Sequence, residues 1–128
     1  MTQESSRTLS RKLVVKVTCG AEDAERCNQA FTVAAAAVAA GADVGLWLTG
    51  EAAWFAVPGR AESFDLPLAA PLQDLLATVV ADGQVTLCTQ CAQRRGITAD
   101  DVVEGVRIAG AATFAEEILA DGVQALVY

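Results

Sequence analysis

Two cysteines three residues apart, Cys88 and Cys91, are the residues of this sequence best placed to do chemistry. They follow a short β-branched and apolar run at 85–87, which predicts a buried strand, and they precede the cations Arg94 and Arg95. A helix beginning just after Cys88 would hold its thiol at the N-terminal cap, with Cys91 one turn further along the same face. Helix N-termini and nearby cations favour the thiolate, which is the nucleophilic form of cysteine. The spacing therefore predicts a reactive thiol pair.

The two thiols are not expected to be equivalent. Cys88 receives most of the helix dipole, whereas the arginines lie about two helical turns beyond it, roughly 10 Å away and close to a Debye length. Arg94 and Arg95 are therefore expected to act on Cys91 or to bind an anionic substrate. We predict Cys88 as the nucleophile and Cys91 as a resolving thiol. Two small apolar side chains packed beneath a helix would produce the same pattern, and that alternative stays open at this point.

Two further cysteines lie in the first third of the chain. Cys19 ends the first predicted strand, and its thiol would share a pocket with Cys88 if the two strands are neighbours. Gly20 follows it and would offer backbone N–H groups to an anion at a helix start, so both residues are candidates for substrate binding. A strand-end cysteine without a role is the alternative for Cys19. Cys27, about two turns into the first predicted helix, is expected in the core.

The chain has no histidine, which removes several kinds of site at once. Ser-His-Asp triads, Cys-His dyads and zinc sites with histidine ligands are all excluded. A zinc site built from four cysteines needs two tight knuckles, and the spacing from Cys19 to Cys27 is too loose to supply the second. We therefore predict no metal and no cofactor, with zinc left open as an alternative use of the pair.

Composition limits the partners. The net charge of −7 and the pI of about 4.4 argue against nucleic acid, whose phosphates require a basic face. The longest apolar stretch, at 30–40, is far shorter than the roughly 20 residues that cross a bilayer, so no membrane partner is predicted. A hydrophobic content of 53% and a mean hydropathy of +0.36 are high for a chain of 128 residues, and they indicate apolar surface hidden between subunits.

The N-terminal segment 1–12 is polar and aperiodic, and we expect a flexible tail before a single domain over 13–128. It lacks the apolar run of a secretory signal, so the cytoplasm is the expected compartment. In that reducing environment the four cysteines are expected to serve as thiols or metal ligands rather than as a disulfide framework.

Strand-like and helix-like segments alternate along the remainder of the chain. Strands are predicted at 13–18, 44–48, 85–87, 106–109 and 123–127, and helices at 21–40, 51–57, 71–81, 89–95 and 111–120. This alternation predicts an α/β fold, a mostly parallel five-stranded sheet with helices on both faces. Ligand sites in such sheets lie at the carboxyl ends of the strands. Two of these predicted ends, at 19–20 and at 88–91, carry thiols.

Three segments carry a resemblance to a known family. They are Thr18-Cys19-Gly20-Ala21-Glu22-Asp23 after the first strand, the alanine-rich helix ending in Ala40-Gly41-Ala42-Asp43-Val44, and the thiol segment before Arg94-Arg95-Gly96-Ile97. With them the chain resembles the DsrE/DsrF-like family, which includes the Tus-type sulfur-relay proteins, from Leu13 to Tyr128. The resemblance implies a doubly wound five-stranded sandwich that forms homotrimers or homohexamers. It also implies that Cys88, six residues before the Arg-Arg-Gly, carries a persulfide between a sulfur donor and a sulfur acceptor protein.

The extra thiols depart from the simplest relay pattern. A thiol at Cys91 would attack a persulfide on Cys88, release sulfide and leave a disulfide, which favours sulfur release or a thiol-disulfide role. We therefore predict a cytoplasmic sulfur-handling protein, a persulfide carrier or sulfurtransferase-like protein. The alternatives are a thiol-redox or metal-binding oligomeric module without turnover, and a purely structural oligomer.

Overall fold

A computed structural model describes residues 11–128. The strands are β1 (Lys12–Val17), β2 (Asp43–Leu48), β3 (Gln84–Cys88), β4 (Val106–Ala109) and β5 (Val123–Val127). The α-helices are α1 (Ala24–Ala39), α2 (Leu72–Asp82), α3 (Thr89–Arg94) and α4 (Ala111–Leu119). Residues 1–10 of the predicted N-terminal tail lie outside the described residues, and Lys12, assigned to that tail, is the first residue of β1.

All five strands are parallel and lie in the order β4-β3-β2-β1-β5. The predicted α/β class and the five-stranded sheet with helices on both faces are thereby confirmed. The order places β2 between β1 and β3, so the strands that end near Cys19 and at Cys88 are not neighbours. The order of the strands in the sequence does not determine which strands are neighbours in the sheet.

One face of the sheet carries the main core. Alternate strand residues such as Val15, Leu46 and Val85 point to this face and are fully buried beneath α1 and α2. The two helices contribute Phe31 and Leu76 to the same apolar cluster. Fully burying one such side chain contributes roughly 1.5–3 kcal/mol, which explains why the helices are held against this face.

The opposite face is covered by α4 and is more polar. In register across the strands lie Lys16, Trp47, Thr86 and Arg107. Phe114 of α4 packs edge-on against Trp47, with ring centroids 5.2 Å apart. Charged side chains in this row are held between the sheet and one short helix, where they need partners.

Short 3₁₀ helices stand in two places where the sequence predicted an ordinary helix or its first turn. The segment predicted as a helix at 51–57 is a 3₁₀ helix over Gly50–Ala56, and the helix predicted from residue 21 begins as a 3₁₀ turn at Ala21–Asp23. A further 3₁₀ turn at Ala99–Asp101 is closed by a capping box between Thr98 and Asp101. Tight i to i+3 turns suit these short spans between strand ends and helices.

Apolar surface remains exposed at the β5 edge. Leu119 at the end of α4 and Leu126 and Val127 of β5 are 79%, 41% and 64% exposed. The alanine-rich part of α1, which was expected to be covered on more than one side, buries Ala30 and Ala34 but leaves a stripe open within the single chain. Its open positions are Thr32, Ala36, Ala39 and Ala40. The association into oligomers stays a prediction.

Candidate functional site at the carboxyl end of β3

Cys88 stands where β3 becomes α3. It is the last residue of β3 and the N-cap of α3, and its backbone is still extended, with φ −65° and ψ 127°. The strand residues before it are buried, whereas Cys88 itself is only partly buried. A buried strand that turns into a helix at its carboxyl end therefore presents this thiol at the sheet edge where α/β proteins bind ligands.

The environment of Cys88 favours its thiolate. Burial by itself raises the pKa of the thiol, but this effect is outweighed by the backbone N–H and the thiol of Cys91, by the N–H of Gln90 and by the positive charge of Lys16. The pKa of Cys88 is therefore lowered, because these donors and this cation stabilise the negative sulfur. The helix-start contribution was expected from the sequence, whereas Lys16 was not.

Cys91 lies one turn into α3 and is buried. Its Sγ accepts a hydrogen bond of 3.2 Å from the backbone N–H of Gly50, at the end of β2. Its carbonyl oxygen accepts a bond of 3.2 Å from Nη1 of Arg95. The Arg95 guanidinium also donates from Nε and Nη2 to Oε2 of Glu51, at 3.0 and 2.8 Å. Gly50 thus contacts the Cys91 thiol directly, and Glu51 acts on the Cys91 backbone through Arg95.

The two arginines predicted to bind substrate have different surroundings. Arg95 is engaged by Glu51 and by the Cys91 carbonyl, so its charge is already neutralised by a carboxylate. Arg94 is exposed in the last turn of α3. The structure therefore gives Arg95 a positioning role at Cys91, and it identifies Glu51 as an ion-pair partner at a helix start.

Cys19 is not a neighbour of the reactive thiol by strand order. Its thiol is buried, and burial raises its pKa, with smaller contributions from the carboxylates of Asp23 and Glu22. Cys27 is fully buried in α1, and burial raises its pKa to about 12, with a further contribution from Cys19. A pocket shared by Cys19 and Cys88 was expected only if their strands were neighbours, and β2 lies between those strands. Cys19 instead lies close enough to Cys27 of α1 to affect its pKa.

Gly20 serves a close contact between backbones. Its N–H donates to Oε1 of Glu22 at 2.8 Å, so this donor is occupied by a carboxylate rather than open to an anion. A Cβ at this position would lie 2.9 Å from the carbonyl oxygen of Glu51. Glycine is required here because the loops after β1 and β2 approach each other closely.

No metal-binding cluster is seen in the part of the chain that the structure describes. Within residues 11–128, no three histidine, cysteine, aspartate or glutamate side chains come together in a way that could hold a metal ion.

Two cavities flank the segment after β2, and neither is lined by a thiol. The larger, about 300 Å³, is apolar and lies between residues 55–62 and α2. The smaller, about 200 Å³, contains Glu22 and Glu51 together with Arg60, whose guanidinium carbon lies 4.2 Å from the ring centre of Trp54.

Within residues 11–128, no helix combines the length and apolarity needed to cross a membrane.

Lys16 is the residue near the site that motif-based reasoning missed. Its signal was present in β1, where Lys16 stands between Val15 and Val17 in an otherwise apolar run after Lys12. A cation within a strand that is largely buried requires a reason, and its charge acts on Cys88.

Comparison with solved structures shows the same fold in several proteins. The YchN protein from E. coli matches with a TM-score of 0.74 and 21% identity, covering 94% of this chain and 100% of that one. The protein of unknown function MTH1491 from Methanobacterium thermoautotrophicum matches with a TM-score of 0.66 and 9% identity, covering 93% and 100%. BT1422 from Bacteroides thetaiotaomicron, also of unknown function, matches with a TM-score of 0.59 and 15% identity, covering 92% and 95%.

Sequence comparison gives the family directly. No curated protein matches the chain. A model of the DsrE/DsrF-like family, however, matches residues 11–127, which is nearly the whole chain and includes every strand and all four thiols. The protein therefore belongs to the DsrE/DsrF-like family.

Proposed function

We propose that the protein handles sulfane sulfur and that Cys88 is the thiol that bears it as a persulfide. The observation that carries the proposal is a partly buried Cys88 thiol with a lowered pKa at the carboxyl end of β3, next to the Cys91 thiol. Membership of a family associated with sulfur relay supports the same chemistry. A thiolate at this position is both nucleophilic and reachable from solvent.

The loading step is a thiol exchange. The Cys88 thiolate attacks the outer sulfur of a donor persulfide, R–S–SH. A sulfur–sulfur bond forms to Cys88, the donor sulfur–sulfur bond breaks, and its electron pair leaves with R–S⁻. The products are Cys88–S–SH and the donor thiolate, so one sulfur atom moves without net oxidation.

The neighbouring thiol provides the release step. Cys91 attacks the inner sulfur of the Cys88 persulfide anion, passes its proton to the outer sulfur and forms a Cys88–Cys91 disulfide. The outer sulfur departs as HS⁻, so the sulfane sulfur is reduced while the two cysteines are oxidised. An external dithiol then restores the pair by exchange. Because both thiols lie at the start of α3, this attack is intramolecular.

The test is to incubate the reduced protein with a persulfide donor and to measure its intact mass. Cys91→Ala, which cannot release the sulfur by forming the disulfide, is expected to gain one sulfur atom, and Cys88→Ala is expected to gain none. Cys27→Ala is the matched control, because that thiol is fully buried with a raised pKa and should not affect loading. Cys91→Ala that gains no sulfur, or Cys88→Ala that gains as much as Cys91→Ala, would show that the proposal is wrong.

A thiol-redox module is the second candidate, and the contact between the Cys88 and Cys91 thiols favours it. Its signature would be a reversible loss of two hydrogens in wild type without release of sulfide, and no sulfur adduct in Cys91→Ala. The mass measurement on Cys91→Ala therefore separates the two candidates.

The proposal includes partners and a compartment. A donor protein would supply the persulfide and an acceptor protein would receive the sulfur, in the cytoplasm, where reducing conditions keep thiols available. Homotrimers or homohexamers are the proposed assemblies.

A further inference from the structure

We infer that Lys16 forms, together with Cys88, a binding site for the negative charge of an anionic sulfane-sulfur donor, a persulfide or polysulfide anion. The inference rests on the proposed function, because it specifies the charge of the donor that Cys88 accepts. It begins from the polar row beneath α4, in which one cation is left without an acidic partner.

Strand register places Lys16 on the side of the sheet where Cys88 lies. Lys16 of β1 is in register with Trp47 of β2, and Trp47 with Thr86 of β3. Side chains two residues apart on a strand share a face, so Cys88 follows Thr86 on this same face, one step nearer the carboxyl edge. Lys16 and Cys88 are therefore separated by β2, about 10 Å of sheet, which a lysine side chain partly spans.

The ammonium group of Lys16 lies over an aromatic ring on this face, and its charge acts on Cys88. Its Nζ lies 4.9 Å from the ring centre of Phe114, and that ring packs edge-on against Trp47 of the intervening strand. An aromatic face attracts a cation without neutralising it. The Phe114 ring therefore holds the ammonium group and leaves its charge in place.

The nearby carboxylate is already used by other groups. Oε1 of Glu117 accepts the indole N–H of Trp47 at 3.0 Å, and Oε2 accepts Nη2 of Arg107 at 2.7 Å. Arg107 also donates from Nε to Oγ1 of Thr86 at 2.9 Å. Within residues 11–128, Lys16 forms no ion pair. Lys12, which lies four residues earlier on the same face of β1, pairs with Asp43 at 3.5 Å. The charge of Lys16 is therefore available to an anion.

This arrangement suits each anionic stage of the loading step. With a polysulfide, the Cys88 thiolate attacks a terminal sulfur, forms Cys88–S–S⁻ and releases the shortened polysulfide dianion, so atoms and charge balance. When the donor is ionised in this way, the incoming donor, the thiolate and the product persulfide are all negative. A half-buried cation beside them lowers the repulsion between two anions that must meet.

The experiment measures the charge preference of Cys88 with two alkylating reagents. Iodoacetate is an anion and iodoacetamide is neutral, and both react with the same thiolate, so the ratio of their rates at Cys88 cancels changes in thiolate content. The rates are followed by mass mapping of the Cys88 peptide in wild type, Lys16→Met, Lys16→Arg and the control Lys12→Met. Circular dichroism verifies that each variant is folded.

Lys16→Met is expected to lower the ratio of the iodoacetate rate to the iodoacetamide rate about three- to tenfold, which is the size of one partly screened charge contact. Lys16→Arg is expected to keep the wild-type ratio, and Lys12→Met to leave it unchanged. In wild type, added salt is expected to lower the same ratio, which tests the inference even if Lys16→Met does not fold. An unchanged ratio in folded Lys16→Met, an equal loss in Lys12→Met, or a salt-independent ratio in wild type would overturn it.

Two sulfur donors then identify the source of the anion. Loading of Cys88 is measured with inorganic tetrasulfide and with a peptide that carries a cysteine persulfide, in wild type and Lys16→Met. The donor whose transfer of sulfur to Cys88 slows more in Lys16→Met is the one that the site prefers. If wild type accepts sulfur and neither donor reacts more slowly with Lys16→Met, the inference is overturned. If wild type accepts sulfur from neither donor while the alkylation ratio still depends on Lys16, the proposed sulfur chemistry fails and the anion site stands.

Discussion

The backbone N–H of Gly50 donates a 3.2 Å hydrogen bond to the sulfur of Cys91 and so joins the end of β2 to the helix that follows β3. Gly50 has φ +55°, and a Cβ there would clash with the carbonyl oxygen of Thr18. The position of the Cys91 thiol therefore depends on a glycine 41 residues away in the chain.

Gly50→Ala is expected to destabilise the protein by about 3 kcal/mol or more, because a left-handed backbone and a clash with fixed backbone add together. Gly59→Ala is the matched control, since Gly59 has φ +88° but nothing within 4 Å of its added Cβ. That control should cost only about 1–2 kcal/mol. Urea unfolding measures both, and equal losses would contradict the role given to the Thr18 contact.

Arg95→Lys is expected to lower the free energy of unfolding by about 0.5–1 kcal/mol, because the compact lysine ammonium cannot reproduce the fork of Nε, Nη1 and Nη2 donors that joins Glu51 to the Cys91 carbonyl. Arg94→Lys, next to it and exposed, should change stability very little. Chemical denaturation of the two variants provides the comparison. A larger effect at Arg94 would show that the wrong arginine was assigned to Cys91.

Cys91→Ala is expected to raise the pKa of Cys88, because the thiolate loses the Cys91 thiol as a hydrogen-bond donor. The rate of iodoacetamide alkylation at Cys88, followed against pH, should therefore reach its midpoint at a higher pH than in wild type. The same variant should lengthen the lifetime of a Cys88 persulfide, because the intramolecular attack is lost. Equal release of sulfide with and without Cys91 would show that it is not a resolving thiol.

Glu117 should contribute stability that is lost in acid. Burial raises the pKa of this carboxyl, but the hydrogen bonds from Arg107 and Trp47 and the charge of Arg107 lower it below its ordinary value. A carboxyl with a lowered folded-state pKa stabilises the fold above its unfolded-state pKa, and this stability disappears as pH falls through the folded-state value. Glu117→Gln should therefore be less stable than wild type at neutral pH.

That difference in unfolding free energy should shrink as pH falls from about 6 to about 3. Glu116→Gln, one residue earlier and exposed, provides the comparison in the same helix. Denaturant unfolding at several pH values measures the difference. A gap between wild type and Glu117→Gln that stays constant with pH would contradict the assignment.

The protein is predicted to associate, and the exposed apolar side chains at the β5 edge are expected to take part. Light scattering at micromolar concentration should give a mass above the 13.3 kDa of one chain. Leu119→Asp should move the mass toward the monomer, because it places a charge among side chains that another copy would cover. Leu68→Asp is the control, since Leu68 is fully exposed on a loop. A wild-type mass of one chain would contradict the prediction.

The fold could be predicted because each helix-to-strand junction is marked locally. Gly41, Gly83 and Gly122 follow helices and precede strands, and the strands between them are apolar enough to form a parallel sheet. The order of the strands could not be predicted in this way, since no local pattern states which strands pair. The expectation that Cys19 would share a pocket with Cys88 depended on that order.

The site was predicted in part. The position of Cys88 at a strand end and helix start follows from the sequence around it, and the structure places it there. The partners of Cys91 come from residues 50 and 51 and from Arg95, through contacts between segments distant in the chain. Lys16 was missed because its position relative to Cys88 depends on the register in which β1, β2 and β3 pair. That register is a property of the assembled sheet.

The strand order has a consequence for the way in which the molecule opens. β5 is held by β1 alone, through residues about 110 positions apart in the chain, and most of its side chains are exposed. Its amide hydrogens should therefore exchange with solvent well before those of β2, which is enclosed by two ladders. The carbonyl of Tyr128 bonds to both the N–H and the hydroxyl of Thr18, at 3.0 and 2.7 Å, so fraying of this edge releases the segment that leads to Cys19.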